Sequence, residues 1–302
     1  MIPAAFDYHA PGTLDEALAL LAEHRDDAKV LSGGQSLLPL LKLRLGSAGH
    51  LIDIGRIPGL EYIKEEGETL AIGGRTREVE LERSELIRAK LPLLADTAAV
   101  IADPLVRNLA TVGGNLAHGD PANDHPAAML ALRAEVVATG PRGARTIPID
   151  EFFVGLFTTA LDAGEILTEI RIPQPPPRSG GAYEKLERKV GDFATAAAAV
   201  QITLGAGGKV VAAGIALTNA GPTPVRAVEA ERYLVGKQPS AEVIVEAARL
   251  AGAAASPSAD RRGQVEYKRE MSRVLTARAL RRAIQRTTRA ARATPAARAE
   301  EQ

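Results

Sequence analysis

Two glycine-rich segments, Ser32-Gly33-Gly34-Gln35-Ser36 and Thr111-Val112-Gly113-Gly114-Asn115, constrain this chain more than any other feature, because each stands where an apolar run gives way to a new segment. Ala28-Lys29-Val30-Leu31 reads as a short buried strand. The leucines at Leu37, Leu38, Leu41 and Leu45 recur at the spacing of one helical face. The first segment is therefore a strand-to-helix turn. Its glycines let the backbone approach a ligand or adopt positive φ, and the unpaired N–H groups at the start of the following helix face an anion favourably. Serines at both ends can donate or cap. The second segment adds backbone N–H groups together with the Thr111 and Asn115 side chains, which suit phosphate oxygens. Each segment alone is no more than a turn signal. The pair implies a cradle for a diphosphate, and nucleotide or flavin binding is the first reading.

Other phosphate-binding templates do not fit. There is no G-x-x-x-x-G-K-[ST], which disfavours a P-loop triphosphatase, and no G-x-G-x-x-G after a strand, which disfavours a Rossmann dinucleotide fold. Gly205-Ala206-Gly207-Gly208 lies between two β-like runs, 197–204 and 209–217, and reads as a hairpin turn.

The loops also carry a family resemblance when taken with Ile101-Ala102-Asp103-Pro104-Leu105-Val106-Arg107-Asn108, with Asp124, and with the opening Phe6-Asp7-Tyr8 and Pro11-Gly12-Thr13-Leu14-Asp15-Glu16-Ala17. In this combination the chain resembles the FAD-binding medium subunit of the molybdenum hydroxylases (xanthine dehydrogenase family), and most of all its aerobic carbon monoxide dehydrogenase branch, up to about Arg282. The resemblance implies an α+β protein. A PCMH or vanillyl-alcohol-oxidase-type FAD-binding domain spans 1–177, in two α/β subdomains of about 1–57 and 58–177. A C-terminal α+β domain follows over 178–285. Carried onto this sequence, the family's pyrophosphate contacts fall on Lys29, Val30, Leu31, Ser32, Gly33, Gly34, Gln35 and Ser36 and on Thr111, Val112, Gly113, Gly114 and Asn115. Further FAD contacts fall on Ile101, Asp124, Leu161 and Lys185, and Phe193 stands where the family places an aromatic side chain near the isoalloxazine.

Read without that context, each of these single residues has an ordinary structural role. Ile101 and Leu161 are core candidates, and Asp124 follows the turn-like Asp120-Pro121-Ala122-Asn123, where a carboxylate caps. Lys185 lies in the charged run Glu184-Lys185-Leu186-Glu187-Arg188-Lys189, where lysines are solvated, and Phe193 fills a core.

Some flavoproteins of the wider fold attach FAD through a histidine in a similar loop. This chain has Gln35 at that place and no cysteine at all, so non-covalent FAD is expected. The five histidines are His9, His24, His50, His118 and His125; they show no metal-ligand spacing, and surface or turn positions are expected for them, with no catalytic residue and no metal in this chain. The lack of cysteine also excludes a thiolate-held iron–sulfur cluster and a redox dithiol. Electrons must come from elsewhere. The resemblance supplies the source: in a dimer of heterotrimers, a small subunit with [2Fe-2S] clusters relays electrons from a large molybdenum-cofactor subunit, and the flavin subunit passes them to a quinone or another acceptor. Carbon monoxide is the leading substrate of that assembly, with a purine, nicotinate, aldehyde or aromatic substrate as the runner-up. A stand-alone flavin oxidase and a structural subunit that has lost its redox role are the readings from other classes.

Lys+Arg and Asp+Glu both number 37, so the formal charge is zero and no net field favours nucleic acid or an anionic membrane. No apolar run is long enough to span a bilayer and no leader is visible, so a cytoplasmic protein is expected, associated with a membrane only through its complex. Ile172-Pro173-Gln174-Pro175-Pro176-Pro177 reads as a stiff connector between domains. Beyond it, helices are expected at 241–255 and 265–284, and the late arginines from Arg261 to Arg289 read as a solvated helix face. A frayed tail is expected over 286–302.

Overall fold

The computed structural model describes residues 2–293, with side chains through residue 287. The chain forms two compact units, each assembled from separated stretches. The first takes residues up to Leu81, Asp103–Gly119 and Ala134–Ile172; the second takes Glu82–Ala102, Asp120–Arg133 and the chain from Pro173 onward.

In the first unit, Asp7–His9, His50–Asp53 and Ala28–Leu31 lie in that order in a parallel three-stranded sheet. Parallel strands need crossover connections, and the helix Leu14–His24 carries the chain from one edge strand, Asp7–His9, to the other, Ala28–Leu31. Thr13 caps it, with Glu16 closing a capping box, and Ala17, Leu18 and Leu21 form its buried face. These pack with Ala28, Ile52, Ile54 and Ile57 into one small core. A second sheet of the same unit has the order Ile63–Glu66, Thr69–Gly73, Ile166–Pro173, Glu135–Gly140 and Gly143–Pro148. The strand expected at 28–31 is present. The leucine-rich helix expected from 36 to 45 is shorter, Leu37–Lys42, because Arg44 turns into the left-handed region at φ 56 and ends it.

The second unit is built on the antiparallel sheet Ser179–Leu186, Ala196–Leu204, Val210–Thr218 and Val225–Arg226. Gly205-Ala206-Gly207-Gly208 forms the expected hairpin, with Gly205 N–H donating to Lys209 O at 2.8 Å and Gly208 at φ 74. Along Ala196–Leu204 the alternation of a half-buried strand is missing: Ala197 and Ala199 are as fully buried as Ala198 and Val200. Small side chains on both faces let helices pack closely on each. On one face lie Ala247, Ala251, Leu280 and Ala283 of the helices Ala241–Ala254 and Val265–Ala293. From the other, the helix Asp124–Leu132 comes so near that a Cβ on Gly214 would stand 2.1 Å from Ala131 O.

The last helix runs to Ala293, past the end expected at 284. Alanine and arginine favour helix, and Arg286 is anchored by Asp96, Nη1 to Oδ2 at 2.7 Å, with Arg282 Nη2 donating to Asp96 Oδ1 at 2.9 Å. These two arginines are paired across the unit and do not form a solvated face. Of the tail expected over 286–302, residues 294–302 lie outside the described residues. Among the described residues no helix is long and apolar enough to cross a membrane.

Candidate functional site

The first unit brings the two glycine segments into direct contact. Ser32 Oγ and Thr111 Oγ1 share a hydrogen bond of 2.9 Å. Thr111 also caps the helix Val112–Ala117 by accepting from Gly114 N–H at 3.2 Å. The glycines are required at this junction for different reasons. A Cβ on Gly33 would lie 2.2 Å from Leu109 O, and one on Gly113 would lie 2.3 Å from Gly74 O. Gly34 takes φ 72, which only glycine adopts without cost.

Together the two segments wall an open cavity of about 290 Å³, close to the lower bound of ligand pockets. Of the residues expected to contact a cofactor, Lys29, Val30, Ser32, Gly33, Gly34, Gln35, Ser36, Thr111, Gly113, Gly114, Asn115 and Leu161 line it. Leu31 and Val112 do not: Val112 is fully buried beneath the second loop, and Leu31 packs against Gly34. Among the described residues, no backbone N–H of Gly33, Gly34, Gln35 or Ser36 donates to another protein group. Four adjacent donors on a cavity wall, with the exposed ammonium of Lys29 beside them, are what a diphosphate needs. The short following helix contributes little field of its own, so the donors carry the attraction. The Gln35 amide folds back onto Gly33 O at 3.3 Å and braces the loop.

Several lining residues were not singled out from sequence. Glu165 is the most informative, since a carboxylate opposes an anionic ligand. Hydrogen bonds from Arg145 at 2.7 and 2.8 Å neutralise it and hold its carboxyl below the usual range, against the opposing effect of burial. Leu40, Gly74 and His118 also line the cavity. His118, three residues beyond the second segment, lies 5.2 Å, centroid to centroid, from Phe157. Nothing in the local pattern around Glu165 or Gly74 distinguishes them from ordinary strand and turn residues.

Ile101, Asp124, Lys185 and Phe193 belong to the second unit. There Asp124 and Lys185 form a buried polar cluster. Lys185 Nζ donates to Asp124 Oδ2 and to Val100 O, both at 2.9 Å, and Tyr183 Oη donates to Asp124 Oδ1 at 2.7 Å and meets Thr218 Oγ1 at 2.9 Å. Burial pushes the Asp124 carboxyl up, while Lys185 pulls it down; burial and the nearby carboxylate push the Tyr183 phenol well above its ordinary range. Lys185 is thus not solvated, contrary to its charged sequence surroundings: its side chain is 3% exposed. Strand alternation turns it inward from Glu184 and Leu186. Ile101 is buried, and Phe193 is exposed rather than a core filler, with the Arg262 guanidinium 5.7 Å from its ring centre. His125 is fully buried in the helix Asp124–Leu132, so the surface position expected for it is corrected.

Comparison with known proteins agrees with this arrangement. Residues 4–175 match the family described as FAD binding domain in molybdopterin dehydrogenase, and residues 181–283 match the CO dehydrogenase flavoprotein C-terminal domain. The carbon monoxide dehydrogenase medium chain of Hydrogenophaga pseudoflava is 48% identical over 280 residues, covering 93% of this chain and 97% of the relative. A subunit alpha of the 6-hydroxypseudooxynicotine dehydrogenase complex of Paenarthrobacter nicotinovorans is 40% identical, covering 95% and 97%. A solved carbon monoxide dehydrogenase structure from H. pseudoflava, lacking the Mo-pyranopterin moiety of its cofactor, superposes with a TM-score of 0.92 at 50% identity, over 95% of this chain and 99% of that one. Free backbone donors, a cationic wall residue and a glycine junction fit the diphosphate of FAD, and the chain belongs to the FAD-binding family of the molybdopterin dehydrogenases, as an oxidoreductase subunit with a CO dehydrogenase flavoprotein C-terminal domain.

Proposed function

We propose that this chain is the electron-transfer subunit of a heteromeric carbon monoxide dehydrogenase. It receives electrons from [2Fe-2S] clusters of a small subunit and passes them to a quinone or other acceptor, while a large molybdenum-cofactor subunit oxidises the substrate. The observation that carries this reading is the joined pair of glycine segments, with unengaged N–H groups from Gly33 to Ser36 on the cavity wall. Near-complete coverage of a medium chain of that name supports the substrate. The absence of cysteine accords with clusters being held by a partner.

Bound FAD supplies a carrier that takes up and releases electrons singly or in pairs. The chain's own residues do the rest. The backbone N–H groups from Gly33 to Ser36, with the Thr111 and Asn115 side chains, would hold the diphosphate. Lys29 balances its charge, and Leu161 packs on the cavity wall. Asp124 and Lys185 set a polar environment in the second unit, and Phe193 offers an exposed ring for stacking. With Gln35 in the loop and no cysteine, FAD is held without a covalent bond. The same chemistry serves a flavin subunit of another molybdenum hydroxylase, and the full-length match to a 6-hydroxypseudooxynicotine dehydrogenase subunit favours that second reading.

The test is to purify the intact complex and follow substrate-dependent reduction of a quinone with carbon monoxide, a purine, nicotinate and an aldehyde in parallel. Reduction by carbon monoxide alone establishes the proposal. Reduction by one of the others replaces it with the second reading. Undiminished quinone reduction after FAD is stripped would remove the electron-transfer role.

A further inference from the structure

Three of the five histidines meet at one place that their spacing in sequence does not suggest. His9 ends the edge strand Asp7–His9, His24 is the last residue of the helix Leu14–His24, and His50 begins the central strand His50–Asp53. The parallel register sets Asp7 beside His50, and residues two apart on a strand share a face, so Asp7, His9 and His50 lie on one side of the sheet. The helix crosses back over that side and sets His24 against them. The His24 and His50 rings stack with centroids 3.6 Å apart, and His9 Nε2 stands 3.1 Å from His50 Nδ1. One nitrogen from each ring can be chosen so that all three lie within 4.8 Å of one another, and all three residues are half-buried.

From this juxtaposition we propose that His9, His24 and His50 form a binding site for one divalent transition-metal ion of the zinc or copper class. Two imidazole nitrogens on a tetrahedral zinc, at about 2.0–2.1 Å from it, stand roughly 3.3 Å apart. The His9–His50 pair, joined by a hydrogen bond of 3.1 Å, stands close to that separation, and one nitrogen of each ring lies within 4.8 Å of the others, so binding an ion exchanges that hydrogen bond and the His24 stack for metal bonds. Imidazole donors suit zinc, copper and nickel, whereas magnesium and calcium prefer oxygen. The surroundings favour a cation. The carbonyl end of an eleven-residue helix points at the site through His24. Asp7 Oδ2 lies 3.9 Å from His50 Nδ1, and its exposed side chain can swing in as a fourth ligand or leave that position to water. An ion there ties the end of the first helix to two of the three strands of the parallel sheet. The site is distinct from the FAD cavity, and none of its three residues lines that cavity.

The test uses the full untagged chain with FAD bound, titrated with zinc chloride by calorimetry and, separately, with cobalt chloride by visible absorption. One ion per chain, a tetrahedral ligand-field spectrum with cobalt, and a melting temperature that rises with free metal are expected. His24→Asn and His9→Gln should each weaken zinc binding at least about ten-fold, as even outer-sphere losses do. Because His50 is part of the sheet and its replacement risks misfolding, the unaltered chain gives a second readout: zinc should protect His9, His24 and His50, but not His118, from carbethoxylation mapped by mass spectrometry. Zinc binding that is indifferent to His24→Asn and His9→Gln, or equal carbethoxylation of all four histidines with and without zinc, overturns the proposal.

Discussion

Gly33→Ala isolates the junction on which the FAD site depends. The added Cβ would stand 2.2 Å from Leu109 O, where the nearest comfortable approach of carbon to a carbonyl oxygen is about 3.3 Å. The obstacle is backbone, not a side chain that can swing away, so the first loop must retreat by about 1 Å, and with it the donors of Gly34, Gln35 and Ser36. Misplacing positioned groups by about 1 Å costs on the order of 10²-fold, or about 2.7 kcal/mol. FAD affinity, read by titration of flavin fluorescence on the purified chain, should fall by that factor. Gly46→Ala is the internal control, because its Cβ would meet nothing within 4 Å and the residue lies just beyond the same helix. Chemical unfolding of both variants separates loss of the site from loss of the fold. If Gly33→Ala held FAD as tightly as the unaltered chain while remaining folded, the argument that the loop is fixed in place by its backbone contact would be wrong.

Lys185→Met strands the Asp124 carboxylate among buried groups and should cost about 3–5 kcal/mol in urea unfolding; combining it with Asp124→Leu should recover most of that loss, since no lone charge is then left inside. Glu231 provides a pH test. Burial opposes its ionisation, but hydrogen bonds from Arg226, the Ile215 N–H and Arg133 hold its carboxyl below the ordinary value. A depressed carboxyl stabilises the fold above its unfolded pKa of about 4.3, and that contribution is lost as pH falls through the lower folded value; Glu231→Gln should therefore be less stable at neutral pH and show a flatter acid limb in unfolding midpoints. Acid precipitation should release all FAD into the supernatant, and flavin fluorescence remaining with the washed polypeptide would contradict non-covalent binding.

The parts of this molecule written locally were legible in its sequence. Ala28–Leu31 announces a buried strand by composition, the glycine pairs announce turns, and Gly205-Ala206-Gly207-Gly208 between two β-like runs could hardly be anything but a hairpin. What escaped depends on contacts between residues distant in the chain. Lys185 looked solvated because four of the five other residues in its run, Glu184, Glu187, Arg188 and Lys189, are charged, yet the strand turns it toward Asp124, which arrives from a helix sixty-one positions earlier. Glu165 carried no signal because its place on the cavity wall is acceptable only with Arg145, from the strand Gly143–Pro148, beside it. The histidine cluster is the extreme case: each member is unremarkable where it stands, and only the parallel register of the sheet and the path of the first helix bring them together.

The glycine segments were open to two readings, turn or cradle, and the structure makes these successive rather than competing. Gly33 and Gly113 are glycine because other backbone passes where a Cβ would be, and Gly34 because of its positive φ; none of these reasons mentions a ligand. Their consequence does. Packing Leu109 and Gly74 against the loops leaves the N–H groups from Gly33 to Ser36 without protein partners on a cavity wall, and such donors are costly to leave unsatisfied away from water. An anion with several oxygens satisfies them together in a way that scattered waters do not. Flavin lacking the adenosine diphosphate, such as riboflavin, should therefore bind this chain far more weakly than FAD. Comparable affinities in a side-by-side titration would mean that the glycine junction shapes the cavity without holding its ligand.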